Sequence, residues 1–385
     1  MHSFPSNWQV KSLDEVVKIS KGKKLNSLVD KETSISKRFI QIDDLRNSDY
    51  LKFTEDESGL LVNEKDVLIA WDGANAGTVG FGLDGYIGST IARLEILVEN
   101  ISTNYFGWFL RTKSKHLRDN CTGATIPHVN KSVLGAIKIP LPPLPIQKQI
   151  AEILEKADQA KQKRKEANKL TDEFLQSVFI EMFGDPVKNP KRWTVKKFGD
   201  IFSSIRYGTG SPPAYVERGI PFIRATNIKN NTIVRKDLVF ITREEATKIK
   251  KCELKEGNLI VVRSGVNTGD AAVVSKEFDG TYAAYDLIIE LEITQSVFYS
   301  FLINSKYGKA IIEPLSRRAG QPHLNAEQLK EIEFYFPPLS LQQLFIEIVS
   351  KTEALKEKQK QSELELENLF QGLMQRAFKG ELVLN

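Results

Sequence analysis

The stretch PPLPIQKQIAEIL, residues 142–154, returns 195 positions later as PPLSLQQLFIEIV, residues 337–349. Proline has no amide hydrogen and fixes its own φ, so a proline pair extends neither a strand ladder nor a helix and makes a stiff, extended exit. After each pair, apolar and charged residues alternate at helical spacing. A chain that leaves a globule for a helix in the same way twice has a duplicated organisation.

Outward from these junctions the copy continues. NWQVKSLDEV (7–16) answers RWTVKKFGDI (192–201), and RFIQIDDLRN (38–47) answers PFIRATNIKN (221–230). EKDVLIAWDGANAG (64–77) answers EGNLIVVRSGVNTG (256–269), and TIPHVN (125–130) answers GQPHLN (320–325). The matches keep their order at offsets of 183 to 195, too long a period for a solenoid and right for two copies of a domain. Within each copy, DVLIAW (66–71), ARLEIL (92–97), NLIVV (258–262) and DLIIELEI (286–293) read as strands between Gly and Asn turns. TNYFGWFLRTKSKHL (103–117) and QSVFYSFLINSKYGKAI (295–311) read as single helices, with Thr103 and Ser296 as early caps.

Residues 146–183 and 341–378 contain no Gly or Pro except Gly372. With Ile150 as a heptad a position, Ile153, Ala157, Ala160, Ala167, Phe174 and Val178 fall on a or d; Phe345, Ile348, Leu355, Leu366, Leu369 and Leu373 do so in the second segment. Arg164, Thr171, Thr352, Gln359 and Ser362 interrupt the stripe. Isolated helices of this length need tertiary contacts, so the two are expected to pack together. The turn-rich linker GDPVKNPKR (184–192) feeds the first helix into the second globule and the second helix must run back, so the expected pair is antiparallel. At 1.5 Å per residue each is about 57 Å long. The expected fold is therefore α+β: two similar mixed α/β domains separated by a long antiparallel two-helix coiled coil, with pseudo-twofold symmetry. Its boundaries are 1–145 for the first domain, 146–183 for the first spacer helix, 184–338 for the linker and second domain, and 339–385 for the second helix and tail.

Bulk properties constrain the class. Fifty-four Lys and Arg against 49 Asp and Glu give a net charge of +5, a mild bias toward an anionic partner. Cys121 and Cys252 lack CxxC spacing, so neither a disulfide framework nor a thiol redox motif is indicated, as suits a reducing cytoplasmic setting. No apolar run approaches the roughly 18 residues of a membrane span, and MHSFPSNWQV lacks the apolar core of a signal peptide.

Two similar domains on a rigid spacer suit a ligand with two half-sites along a rod, and duplex DNA is the commonest such ligand. Two globules each closing on PHxN, each followed by PPLxxQ and a long helix, with LFQGLMQRAFKGEL at the end, resemble the DNA-specificity subunit of type I restriction-modification systems. The likeness covers essentially the whole chain. Where many members carry Glu before the Gln of the junction, this chain has Ile146 and Leu341. The resemblance implies that each globule is a target-recognition domain reading one half of an asymmetric, interrupted sequence in double-stranded DNA. It further implies that the helices set the gap and dock two adenine methyltransferase subunits, that restriction subunits join them, and that the chain itself catalyses nothing and holds no cofactor. The S-adenosylmethionine belongs to the methylating subunits.

Candidate contacts follow from the loops between strands, which rigid elements position. RYGTGSP (206–212) resembles the family's early glycine-turn motif and RSGVNTG (263–269) its central one; SKGKK (20–24) and WDGANAG (71–77) stand at the corresponding places. Gly permits close approach to phosphate, Arg can fork onto guanine and Asn can pair with adenine. The candidates are Lys21, Lys23, Lys24, Trp71, Asn75, Thr78 and His128 in the first domain. In the second they are Arg206, Thr209, Arg263, Asn267, Thr268, Arg317, Arg318, Gln321 and His323. The three lysines are expected on phosphates and not bases. Metal binding is disfavoured, since the chain has four His and two Cys with none at zinc spacing. FLQSVFIEMF (174–183) holds seven apolar residues in ten, and LFQGLMQRAF (369–378) is similar. That exceeds what a two-helix seam needs, so the surplus must be covered by a globule or by another protein; of the two, partner helices are expected, at Phe174, Leu175, Phe179, Phe183, Leu369, Phe370, Leu373 and Phe378.

The competing enzyme class has little support. Asp237 with Glu253, Leu254 and Lys255 has nuclease-like spacing but no counterpart in the first repeat. There is no P-loop, no HExxH, and neither the Gly-rich cofactor loop nor the Asn-Pro-Pro-aromatic motif of an adenine methyltransferase.

Overall fold

The β-branched runs form the middle of a four-stranded antiparallel sheet in each half of the chain, in the same order. In the first half Val67–Ala70, buried throughout, lies between Ile91–Ile96 and Val79–Phe81, and Val17–Lys21 closes the far edge on Ile91–Ile96. In the second half Leu259–Val261 lies between Leu287–Glu290 and Ala271–Val273, and Ser204–Tyr207 closes the edge on Leu287–Glu290. Each half adds a second sheet containing one parallel pair, Lys37–Ile40 with Gly85–Ile87 and Ile220–Ile223 with Tyr282–Ala283. Each is also closed by a two-stranded ribbon joining its ends, Gln9–Ser12 with Lys138–Leu141 and Thr194–Lys197 with Glu333–Phe336. The ribbon returns the chain to the proline pair, so the exit is fixed to the domain's first strand.

This computed structural model describes residues 5, 7–25, 27–47, 49–185, 188–229, 231–317 and 322–382. The chain divides into two compact units, Met1–Lys165 with Gln361–Asn385, and Glu166–Lys360. The long helices are Leu144–Phe183 and Leu339–Lys379, each starting directly after its proline pair. In the first unit Ile150, Ala151 and Leu154, near the start of one helix, share a core with Phe370, Met374 and Ala377 near the end of the other. In the second unit the end of the first helix (Leu175, Phe179, Phe183) shares a core with Phe345 near the start of the second. Starts meet ends in both units, so the pair is antiparallel.

The buried glutamine of each PPLxxQ junction is the local lock. Gln147, 1% exposed, accepts from the Ser102 amide at 2.9 Å and donates to the Asn100 and Pro142 carbonyls at 2.8 and 2.9 Å. Gln342, 0% exposed, donates to the Pro337 carbonyl at 2.9 Å. A side chain that caps the carbonyl of the first proline while sitting in the first helical turn sets the angle between exit and helix.

Four expectations are corrected. The segment 295–311 is two helices, Ile293–Asn304 and Lys306–Ser316, because Ser305 adopts an extended conformation and its side chain accepts from the Gly308 amide at 3.2 Å, starting a new helix. Ser296 is therefore no cap: it is buried, and its hydroxyl donates to the Gly257 carbonyl. Ser102, and not Thr103, holds the cap position of Thr103–Asp119. The heptad stripe is also only partly kept: its a positions are all buried or half-buried, but several of its d positions are not. Phe174, Leu355 and Leu369, placed on the seam by counting, are exposed at 49%, 48% and 57%, whereas Thr171, Thr352 and Gln359, counted as interruptions, are buried. Gln359 Nε2 donates to Thr171 Oγ1 at 3.0 Å, so a polar pair is enclosed between the helices. Straight helices turn every 3.6 residues, and packing against a globule redirects the apolar face that a strict seven-residue count assigns to the partner helix.

Candidate nucleic-acid interface

In each domain the same two turns and the PHxN loop converge beyond the strand ends. Gly22 and Gly208 follow the edge strands so closely to the neighbouring chain that a Cβ would lie 2.3 Å from the carbonyl oxygen of Gly88 or Ala284. Only glycine permits that approach. Gly73 and Gly265 turn the central loop at φ of 92° and 97°. Asp72 and Ser264 each form a β-bridge with the histidine of PHxN, His128 and His323. The backbone cradle is thus duplicated, with Lys21 standing where the second domain has Tyr207, Trp71 where it has Arg263, and Asp72 where it has Ser264.

The side chains on the two cradles differ in kind. In the first domain the Asp72 carboxylate accepts from Lys21 Nζ at 2.6 Å and from His128 Nδ1 at 2.5 Å. A carboxylate only accepts, so Nδ1 of His128 carries the hydrogen. Burial pushes the Asp72 carboxyl up, but the hydrogen bonds from Lys21 and His128 outweigh it and hold the group below the usual carboxylate range. Lys23 and Lys24 are exposed beyond the edge strand. Trp71 is half-buried against the core, its backbone bonded to Thr90 and Val129. Asn75 and Thr78 are joined by Arg46, which donates to Asn75 Oδ1 at 2.6 Å and Thr78 Oγ1 at 3.2 Å.

In the second domain Arg263 and His323 are brought together: Nε and Nη2 of the guanidinium lie 3.2 and 3.0 Å from His323 Nε2. Guanidinium only donates, so this imidazole accepts through Nε2. The Arg263 amide donates to Asp286 Oδ1 at 3.1 Å, and the carboxyl of Asp286, 2% exposed, is pushed up to about 7 by burial, against the pull of Arg263. Thr268 donates to the Gly265 carbonyl at 2.6 Å, Asn267 sits half-exposed in the same turn, and Thr209 donates to the Ser211 carbonyl at 2.9 Å. Arg206 is separate from this group. Its guanidinium pairs with Glu290 and donates to the carbonyls of Lys251 and Glu253 and to Asn258, at 3.1, 2.9 and 3.2 Å for the last three. Arg317 is exposed at the end of Lys306–Ser316, and Arg318 and Gln321 lie outside the described residues.

The apolar surplus of the helices is covered largely by the domains, which corrects the expectation of a partner for most of it. Phe179 and Phe183 stack among Phe298, Phe301 and Phe345 with Leu175 beside them. Phe370 and Phe378 meet Trp108, Tyr105 and Phe109, with Leu373 against the same core. Phe174 and Leu369 alone of the eight are exposed.

Several residues that shape these sites escaped the sequence reading. Asp72 and Tyr207 lay inside quoted motifs, Arg46 lay inside a repeat match, and Tyr285 had no signal. Strand alternation was the available clue for one of them: successive residues of Ser204–Tyr207 face opposite ways, so Arg206 and Tyr207 cannot serve the same site. Among the described residues no group of three or more His, Cys, Asp and Glu is arranged to hold a metal ion, and no helix is long and apolar enough to cross a membrane.

A duplicated mixed α/β domain, each copy ending in a proline-pair junction and a long helix, and each presenting a differently furnished loop crown, defines a class of two-site recognition proteins. The chain matches the family model described as the type I restriction modification DNA specificity domain twice, over residues 5–171 and 190–367. It is 26% identical over 407 residues to the specificity subunit of the type I restriction enzyme MjaVIII of Methanocaldococcus jannaschii, covering 99% of this chain and 95% of that protein. It is 22% identical over 417 residues to the EcoBI specificity subunit of Escherichia coli, covering 99% and 87%. The fold is that of the type I restriction-modification S subunit from M. genitalium, with a TM-score of 0.60, 16% identity, and coverage of 97% of this chain and 96% of that one. A chain from a structure addressing assembly and conformational transition of the type I system matches with a TM-score of 0.62 at 19% identity, over 99% and 100%. The chain belongs to the type I restriction-modification DNA specificity family and carries its specificity domain twice.

Proposed function

We propose that the chain is the reading subunit of a type I restriction-modification complex, in which each domain recognises one half of a bipartite, asymmetric target in double-stranded DNA. Residues 1–145 and 184–338 are the readers; the first spacer helix, 146–183, and the second spacer helix with its tail, 339–385, serve as spacer and as docking surface for two adenine methyltransferase subunits, with restriction subunits joining the full assembly. The reaction is theirs and the choice of sequence is this chain's. The observation that carries the reading is the pair of matching backbone cradles with different side chains: Lys21, Asp72 and His128 on one, Tyr207, Arg263 and His323 on the other. Equal scaffolds with unequal donors and acceptors suit two unlike half-sites. Lys23, Lys24 and Arg317, exposed around the crowns, suit the phosphate backbone. Asn75, Thr78, Thr209, Asn267, Thr268 and Trp71 line or support the base-facing turns.

Exchange of residues 192–336 for the matching segment of a relative tests this. With the methylating subunits present, maps of modified adenine are expected to change in one half of the target and keep the other. A change in both halves, or in neither, contradicts the proposal.

A further inference from the structure

We propose that Arg263 selects a guanine in the half-site of the second domain, and that Tyr207, Tyr285 and His323 are positioning residues that fix its guanidinium for that task. The inference rests on the reading of the chain as a two-domain DNA reader and adds the base and the group that chooses it.

An arginine that grips phosphate needs charge and reach, and a flexible exposed side chain supplies both. An arginine that reads a base must present its planar fork in one orientation. Arg263 is fixed from the backbone outward. Its amide donates to buried Asp286 at 3.1 Å and its carbonyl accepts from the Leu324 amide at 2.8 Å. Its Cζ lies 4.5 Å from the centre of the Tyr207 ring and 4.6 Å from that of Tyr285. Such contacts hold a guanidinium plane through cation–π attraction. The Tyr207 ring and the Tyr285 backbone are themselves anchored. The Tyr207 hydroxyl accepts from the Ala326 amide, and the Tyr285 amide donates to the Thr209 carbonyl, both at 3.0 Å.

His323 Nε2 takes the hydrogens on Nε and on one side of Nη2. Among the described residues nothing else takes the remaining Nη2 hydrogen or the two on Nη1, and the adjacent hydrogens of Nη2 and Nη1 form a two-pronged donor. In the major groove guanine offers two adjacent acceptors, N7 and O6, whereas adenine offers one acceptor beside a donor. A fork whose free edge only donates therefore satisfies guanine and leaves adenine mismatched. Tyr207 and Tyr285 are 41% and 43% exposed, so the assembly is a surface feature within reach of a groove. Arg206 makes the contrast: its guanidinium is taken up by Glu290, Asn258 and two carbonyls of its own domain. In the first domain Trp71 stands at the equivalent position, so the selection belongs to one half of the target only.

The test uses the full chain co-expressed with its methylating subunits, and maps methylated adenines by single-molecule sequencing for the native chain, Arg263→Ala, Arg263→Lys, Tyr285→Leu and Tyr285→Phe. The half changed by exchange of residues 192–336 is expected to contain a guanine whose preference Arg263→Ala relaxes by about 10–100-fold while every other position is kept. Tyr285→Leu is expected to relax the same position partly, and Tyr285→Phe to leave it intact. If Arg263→Ala erases that whole half, Arg263→Lys must recover its other positions without the full guanine preference; failure to recover them overturns the proposal. Fewer methylated sites with an unchanged consensus would assign Arg263 to phosphate, and relaxation at a base other than guanine would also overturn the assignment. A native map with no two-part consensus defeats the underlying reading before any variant is compared.

Discussion

Replacing the junction glutamine by leucine, once as Gln147→Leu and once as Gln342→Leu, is expected to have very unequal effects despite the matching motif. Gln147 makes three hydrogen bonds, to the Ser102 amide and to the Asn100 and Pro142 carbonyls, and the Pro142 carbonyl is buried. With about 1 kcal/mol for each ordinary bond and about 1–3 kcal/mol for a buried group left without a partner, its loss weakens the first domain by about 3–5 kcal/mol. Gln342 donates once, to the Pro337 carbonyl, and among the described residues its buried Oε1 has no partner. Removing it orphans one carbonyl but also removes one unsatisfied acceptor, so the net change is about 0–1 kcal/mol. The gain from burying leucine is common to both and cancels in the comparison. Because a chain of two units need not unfold in one step, a single melting temperature cannot carry the measurement. Native-state hydrogen exchange can, read at Val67–Ala70 and Ile91–Ile96 for one variant and at Leu259–Val261 and Leu287–Glu290 for the other. A difference of about 3 kcal/mol corresponds to exchange faster by about 100-fold in the first domain of Gln147→Leu than in the second domain of Gln342→Leu, each against the native chain. Equal acceleration, or the reverse order, would refute the hydrogen-bond count as the basis of the lock.

Arg206→Ala is expected to destabilise the second domain by about 2–3 kcal/mol, seen in the same exchange experiment, while the methylation consensus stays as it was. Asp286 titrates higher in the folded domain than in an unfolded chain, because burial pushes its carboxyl up to about 7. The stability it contributes is therefore fully present below the unfolded carboxylate pKa of about 4 and is lost as pH rises toward 7. Asp286→Asn should flatten the stability of the second domain across that window in denaturant titrations at stepped pH. Asp72 has the opposite sign: its depressed pKa means a contribution present above about pH 4 and lost on acidification, which Asp72→Asn should abolish in the first domain. Phe174→Ala and Leu369→Ala, at exposed positions, should change stability by no more than about 0.5 kcal/mol yet weaken co-purification with the methylating subunits, whereas Phe179→Ala should lower stability by about 3–5 kcal/mol.

The large architecture was legible because it is written in covalent constraints and periodicity. A proline pair admits few conformations, and a long segment with one glycine and a helical apolar pattern admits few folds. What counting could not resolve was which neighbour claims an apolar face. Phe179 and Phe183 looked like surplus in a two-helix frame; in the structure they fill an aromatic core with Phe298 and Phe345, contributed by segments more than a hundred positions away. Thr171 and Gln359 looked like defects for the complementary reason, since their hydrogen bond to each other exists only once the helices meet. Ser305 ended a helix that hydrophobicity alone would have continued, because one hydroxyl at a cap outweighs the pattern on either side.

At the loop crowns, residue type put forward two arginines without distinguishing them. Arg206 and Arg263 carry equal charge in equally glycine-rich motifs, and nothing in a linear reading ranks them. Their surroundings do. Arg206 lies on an edge strand whose neighbour supplies Glu290, two residues along from Arg206's own register partner Ile288, so its charge is neutralised within the domain. Arg263 leaves the end of a central strand, where the ladder has stopped and its guanidinium meets two tyrosines and an imidazole, while the one carboxyl beside it, Asp286, takes its amide and is pushed toward the neutral form by burial. A carboxylate at the position of His323 would make Arg263 another structural ion pair. A lone pair on a neutral ring instead holds the fork and leaves its positive charge available to an anionic, acceptor-rich ligand. The first domain shows the alternative on the same cradle: Asp72 neutralises Lys21, and the exposed cations shift outward to Lys23 and Lys24. Duplication supplied one backbone twice, and the choice of acceptor beside each cation made the two copies chemically distinct.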